Sequence, residues 1–322
     1  MAVIKLIPTK DGTINSQFDK NNGIDEILDI GVDGTNHFVN RILLTFDSNE
    51  ISNLKNLYTD SIQSLNLYLA NADTLPSNYI IELYQLINSD WDNGVGSSTQ
   101  DDINGIKWSS YLTNYDSTKT KLLEHQFSIY DDKDIKLSLS GSTTYSYMLS
   151  IKDDLTLSNS QTFGLKYYSK DTNTIYQPTI DFKFTDSTFD NTLSGSVITK
   201  ENFTVSLKNN CSKLYSDSKY RINIGTRYTY PDRNFFKNSI FNQKKYLPNT
   251  AYYAIRDVHA NYNVIDFDSI YTKISLDSNG NFFNIYTKNF ETNRYYSVDI
   301  KVVLNGNEYI MKDTYIFKLH DK

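Results

Sequence analysis

Apolar and polar side chains alternate with a period of two in run after run along this 322-residue chain, and Asn, Asp, Ser and Gly interrupt the alternation at short intervals. In an extended backbone successive side chains point to opposite faces, so such a run suits a strand with one dry face and one wet face. Runs of this kind occupy 2–7, 26–32, 40–46, 64–69, 79–84, 134–139, 146–151, 162–168 and 179–184. Beyond them come 203–209, 220–227, 251–257, 263–267, 272–276, 282–287, 295–304 and 309–319. Asp277-Ser278-Asn279-Gly280-Asn281 and Asn305-Gly306-Asn307 read as hairpin turns, because Asn-Gly supplies the positive φ angles that tight hairpins need. One segment breaks the rhythm. Ile51, Leu54, Leu57 and Tyr58 fall at helical spacing and predict a short helix over 50–61. Residues 90–130 read as loop-rich.

The pattern predicts an all-β protein, and composition agrees with it. Tyr (26) and Phe (17) far outnumber Trp (2) and Pro (5), and aromatic and β-branched residues favour pleated, half-buried surfaces. The eight runs after residue 188 suit one immunoglobulin-like sandwich, with the turn-rich stretch 186–191 as the expected boundary. Net charge is -6 with the basic residues dispersed, which argues against a nucleic-acid partner, since that would leave a basic stripe. The single cysteine, Cys211, excludes an intramolecular disulfide or a cysteine-rich zinc site. Residues 1–30 lack a basic-then-apolar leader pattern, and no run approaches about 18 apolar residues. The expectation is a protein with no membrane insertion and no classical secretory route.

Few residues suggest catalysis. His37, His125, His259 and His320 show no metal-ligand spacing. Cys211 has no His nearby, no Gly-x-Ser-x-Gly elbow occurs, and Gly94-Val95-Gly96 lacks the lysine of a phosphate loop. The carboxylate pairs Asp101-Asp102, Asp131-Asp132 and Asp153-Asp154 read as solvated turns. No cofactor is expected, with calcium the one ion that loop oxygens of Asp11, Asn21, Asp25 and Asp47 would suit. Tyrosine admits two readings, as stacking platforms for sugars or as core and interface residues. The candidates are Tyr58, Tyr68, Tyr84 and the adjacent pairs Tyr167-Tyr168, Tyr252-Tyr253 and Tyr295-Tyr296, of which one member each should face outward. Trp91 and Trp108 are the expected anchors of the long loop region. Tyr228, Tyr230, Arg233, Phe235 and Phe236 form an aromatic, irregular stretch that is the candidate contact arm, with capping of its own sandwich as the competing reading.

The first half also carries a resemblance. Gly23-Ile24-Asp25-Glu26-Ile27-Leu28-Asp29-Ile30-Gly31, followed by Asn40-Arg41-Ile42-Leu43-Leu44-Thr45-Phe46-Asp47, resembles the opening of DNRLRE-type jelly-roll domains, which are carbohydrate-binding-module-like. Leu65-Asn66-Leu67-Tyr68-Leu69, the spacing from Trp91 to Trp108, and the segment from Tyr167 to Pro178 resemble later parts of the same family. Tyr228-Thr229-Tyr230-Pro231, Tyr246-Leu247-Pro248-Asn249 and Arg294-Tyr295-Tyr296 resemble structural proteins of marine, T-even-like tailed phages. The resemblance implies a jelly-roll sandwich at 1–187 ahead of the immunoglobulin-like sandwich at 188–322. It further implies a non-enzymatic virion protein of neck, tail or baseplate, assembled in the host cytoplasm. Its partners would be other virion proteins and copies of itself in a symmetric assembly. The alternative is a glycan-binding module for attachment to a host surface.

Overall fold

The computed structural model describes residues 2–72, 75–97, 102, 104–128, 130–140, 144–208, 213–230 and 244–322. The chain is all-β and folds as two compact units, one of Leu6–Asp181 and the other of Met1–Lys5 with Phe182–Lys322. The boundary therefore falls at 181/182 and not within 186–191. The stretch after Phe184 packs into the second unit: Asn284 Nδ2 donates to Asp186 (2.8 Å) and Leu276 N to the Thr188 carbonyl (2.8 Å). The opening strand, β1 (Ala2–Leu6), contributes Val3 to the core of that second unit.

The first unit is a jelly-roll sandwich. Its strands are β2 (Lys10–Asn15), β3 (Ile27–Asp33), β4 (Phe38–Thr45), β5 (Ile62–Leu67), β6 (Leu69–Ala72) and β7 (Asn78–Gln85). They continue with β8 (Thr120–Ser128), β9 (Ile135–Ser138), β10 (Ser146–Ile151), β11 (Phe163–Tyr168) and the first half of β12 (Thr179–Phe184), within which the boundary falls. The larger sheet runs β6-β11-β3-β4-β10-β7-β8, with β2 also on β4, while β5 lies between β9 and β12 in the smaller sheet. The chain thus changes sheet at β5, returns at β6, and changes again at β9 and β12. Leu65, Leu67, Ile135, Tyr147, Leu149 and Leu83 fill the interior.

Helix α1 (Ser48–Leu57) starts two residues earlier than its apolar spacing predicts, because Asp47 caps it by accepting from the Asn49 and Glu50 N–H groups. The described residues of 90–130 are more regular than the loop-rich reading expects. They contain α2 (Trp108–Asn114) and the nine-residue strand β8. Helix α2 has Lys107 and no Ser, Thr, Asp or Asn at its N-cap to announce it, although Ser110 Oγ accepts from the Lys107 N–H (2.9 Å), and β8 is an edge strand with Lys, Glu and His on its exposed positions. Trp91, Tyr111 and Tyr115 lay this segment over Ile14, Leu43 and Met148 of the larger sheet. Another short helix, α3 (Asp154–Leu157), follows β10.

The second unit has nine further strands: β13 (Phe203–Lys208), β14 (Lys213–Tyr215), β15 (Lys219–Tyr228), β16 (Ala251–Asp257), β17 (Tyr262–Ile265), β18 (Ser275–Asp277), β19 (Gly280–Tyr286), β20 (Tyr295–Leu304) and β21 (Asn307–His320). Their sheets run β13-β15-β19-β18 and β14-β21-β20-β16-β17, which is the ABED order and, with β14 added parallel beside β21, the GFCC′ order of an immunoglobulin-like sandwich. Tyr296, at the start of β20, donates its hydroxyl to the Glu291 carbonyl (2.8 Å), as the tyrosine corner of such domains does. Without a disulfide, rings fill the centre: Tyr253 stacks on Phe283 with centroids 4.4 Å apart. Arg294 grips the buried Asp257 with two bonds of 2.6 and 3.1 Å. The strand expected at 272–276 begins later, at Ser275, because Thr272 folds back on the Asp268 carbonyl.

Candidate functional site

β3 and β11 pair antiparallel, with Gly31 opposite Gly164 and Asp29 opposite Lys166. On the next strand Asn40 stands opposite Gly31, and Phe38 opposite Asp33. Leu28, Ile30 and Val32 of β3 and Phe163, Leu165 and Tyr167 of β11 are all buried in the core. Alternation therefore turns residues 29, 31 and 33, with 164 and 166, away from it. A Cβ on Gly31 would lie 2.5 Å from the Phe163 oxygen and 2.7 Å from the Gly164 Cα. The close approach of β11 thus requires glycine at 31. Its consequence is a cross-strand pair without side chains, which floors a concavity of about 230 Å³.

The rim of this cleft is polar on most sides and aromatic on one. Asp33 accepts from the N–H groups of Thr35 (2.8 Å) and Asn36 (3.0 Å) and from Asn36 Nδ2 (2.9 Å). These donors, led by the Asn36 side chain, hold its carboxyl below the usual range. Thr162 accepts from Gly34 N (2.9 Å), which ties the start of β11 to the same turn. Asn15 Nδ2 donates to Asn40 Oδ1 (2.6 Å) and fixes the amide plane. Phe38 supplies the ring, and Phe18, 54% exposed, leans on it at 6.2 Å. The site offers an amide, a hydroxyl, two carboxylates, an ammonium and a ring around bare backbone. Such an arrangement can bind a small polar ring by stacking and hydrogen bonding.

The residues singled out from sequence lie elsewhere. Trp91 is buried, with its indole N–H 3.4 Å from Ser146 Oγ and the Lys10 ammonium 5.6 Å above its ring. Trp108 lies under the Arg41 guanidinium at 4.8 Å. Arg41 in turn holds Asp154 with bonds of 2.7 and 3.0 Å. Asp154 is thus a buried ion-pair partner and not part of a solvated turn, a correction that its sequence neighbour Asp153 obscured. Tyr228 accepts from Thr199 N (3.1 Å) between Lys200 and Lys245, and Tyr230 is 81% exposed. Arg233, Phe235, Phe236 and Cys211 lie outside the described residues.

Each adjacent tyrosine pair splits: Tyr167, Tyr253 and Tyr296 are buried, while Tyr168 and Tyr252 are half-buried and Tyr295 is exposed. Tyr168 stacks on Tyr176, which meets Tyr68, so these rings pack one another. Of the oxygens considered for calcium, Asp47 caps α1, and Asn21 Oδ1 accepts from Gly23 and Gly96 N–H groups. Gly94, Gly96 and Gly105 crowd around Asn21, which accounts for that glycine cluster without any phosphate. Among the described residues no group of three His, Cys, Asp or Glu could hold a metal ion. The sequence reading did not anticipate the cleft, although a glycine within each of β3 and β11 is a signal of close approach by backbone or ligand.

No family model matches the sequence, and no curated protein does. Among solved structures the chain is similar to a truncated AlyQ with CBM32 and alginate lyase domains, at 10% identity over 97% of this chain and 80% of that one, with a TM-score of 0.29. It is also similar to Bacteroides uniformis beta-glucuronidase 3 (8% identity, 87% and 26% covered, TM-score 0.19). A third is the binding domain of botulinum neurotoxin serotype D/C (10% identity, 96% and 68% covered, TM-score 0.25). Likenesses this loose carry no argument about function.

Proposed function

We propose that this chain is a non-catalytic binding protein whose jelly-roll unit takes up a glycan in the β3–β11 cleft. The observation that carries the reading is the glycine pair, Gly31 opposite Gly164, with the Phe38 ring and polar groups around it. A sugar ring needs a flat surface for its C–H face and fixed polar groups for its hydroxyls, and strand glycines let it approach the backbone. Hydrolysis needs a carboxyl kept protonated as the acid. In this cleft Asp33 is held ionised by N–H donors, and Asp29 stands opposite Lys166 in the strand register. Affinity electrophoresis through gels containing soluble polysaccharides tests the proposal. Retardation of the full chain that is lost in Asn40→Ala and Phe38→Ala supports it; equal retardation of all three, or none, contradicts it.

A second reading places the chain in a tailed-phage virion, at neck, tail or baseplate, bound to other virion proteins and to copies of itself. Its support is the resemblance noted above and one surface. Tyr295 (55% exposed), Ile310 (50%) and Ile316 (48%) lie on the face of β20 and β21 turned away from the core. Exposed apolar side chains sharing one face suit a protein contact. Proteomics of purified particles tests this setting: the chain in stoichiometric copies supports it, and its confinement to free lysate contradicts it.

A further inference from the structure

The cleft also specifies the charge of its ligand. Resting on the glycan reading above, we infer that the ligand is an uncharged glycan, selected against chains bearing uronate, sialate or sulfate groups. Among the lining residues the ionisable side chains are Asp29, Asp33 and Lys166, so two negative charges and one positive give a net charge of -1. Lys166, the one ammonium among them, stands opposite Asp29 in the β3–β11 register, where cross-strand neighbours of opposite charge attract. Asp33 stays ionised through its turn, where Asn36 and Thr35 donate to it. Among the described residues no arginine lines the cleft, so no planar fork there awaits a carboxylate or sulfate. An acidic sugar would meet net negative charge on a chain whose overall charge is already -6. A neutral sugar meets what is present: carboxylate oxygens as acceptors for hydroxyls, the amide of Asn40, the hydroxyl of Thr162 and the Phe38 ring.

A glycan array carrying neutral and acidic oligosaccharides, probed with the full chain at low and high salt, tests the inference. We expect neutral glycans to bind at least about tenfold more strongly than their uronate or sulfate counterparts, with little salt dependence. Preferential, salt-sensitive binding of acidic glycans would overturn the inference while leaving the glycan reading intact. Binding of no glycan in either class would overturn both. A gain-of-function variant removes the ambiguity of loss by misfolding. Thr162→Lys, at an exposed position, brings the cleft from -1 to 0 and should raise the relative affinity for sulfated glycans several-fold. An unchanged preference in a folded Thr162→Lys protein contradicts the role assigned to cleft charge.

Discussion

Two stretches of the same sheet in the jelly-roll unit are finished in opposite ways. At β10 every residue is buried, because the core lies on one side and the segment carrying Trp91 and Tyr111 lies on the other. At β11 burial alternates, as it does along β3 except at Gly31, which is itself buried, and the side turned from the core forms the cleft over Gly31 and Gly164. A sheet covered on both faces becomes continuously apolar and gains stability from packing. A sheet left open, with glycines where side chains would otherwise stand, forgoes that packing and keeps a concave, polar surface. The comparison separates stability from recognition within one sheet. Substitutions in the covered stretch should change stability, and substitutions in the open stretch should change binding.

The largest effect expected is from Trp91→Ala, which leaves a void between the outer segment and the sheet. Destabilisation of about 3–5 kcal/mol is predicted for such a change, measured by denaturant unfolding. A cost below about 1 kcal/mol would show that the covering segment is not integral to the fold.

Asp11 stands where the two stretches meet. Its backbone N–H donates to Asn93 of the covering segment, and its carboxylate accepts from Lys170 N just after β11. Burial raises its carboxyl from 3.8 to about 7, against the opposing pull of the Lys170 N–H and ammonium. The folded protein therefore holds this proton more tightly than the unfolded chain. The resulting stabilisation is complete below about pH 4 and is lost as pH rises toward about 7, by up to about 4 kcal/mol. Unfolding curves for the wild type and Asp11→Asn across that window check the sign: their difference should shift steadily with pH, and a constant difference would contradict it.

A smaller effect belongs to Gly31→Ala, whose methyl would press on the Phe163 carbonyl. A loss of about 1–3 kcal/mol is expected, together with loss of ligand binding, by thermal unfolding and affinity electrophoresis on the same sample. Smallest of all, Lys166→Gln should change stability by no more than about 0.5 kcal/mol, since its side chain is half-exposed. Its effect should appear in glycan affinity. A reversed result, with stability lost and affinity kept, would break the division between the two stretches.

Much of this architecture was legible from alternation alone. β3, β4, β10 and β11 fall where the apolar periodicity puts them, and the turns at 277–281 and 305–307 do connect paired strands. β2 was not visible, because Lys10-Asp11-Gly12-Thr13-Ile14-Asn15 offers only one large apolar side chain, and it buries Asp11 and Thr13 through hydrogen bonds. The covering segment was hidden for a different reason. Its order comes from long-range partners, such as Arg41 with Asp154 and Asn21 with the Asn93 and Ile106 carbonyls, which no local pattern encodes. The cleft depends on the pairing of Gly31 with Gly164, residues far apart in the chain, and only register brings them together.

The claim that the open stretch is the recognition surface is tested most directly by amide NMR of the full chain during titration with a neutral oligosaccharide. The account predicts shifts concentrated at Gly31, Asn40, Gly164 and Lys166, with the amides of β10 and of the Tyr295, Ile310 and Ile316 face unmoved. Shifts confined to that second face, or scattered without a cluster at the cleft, would contradict it.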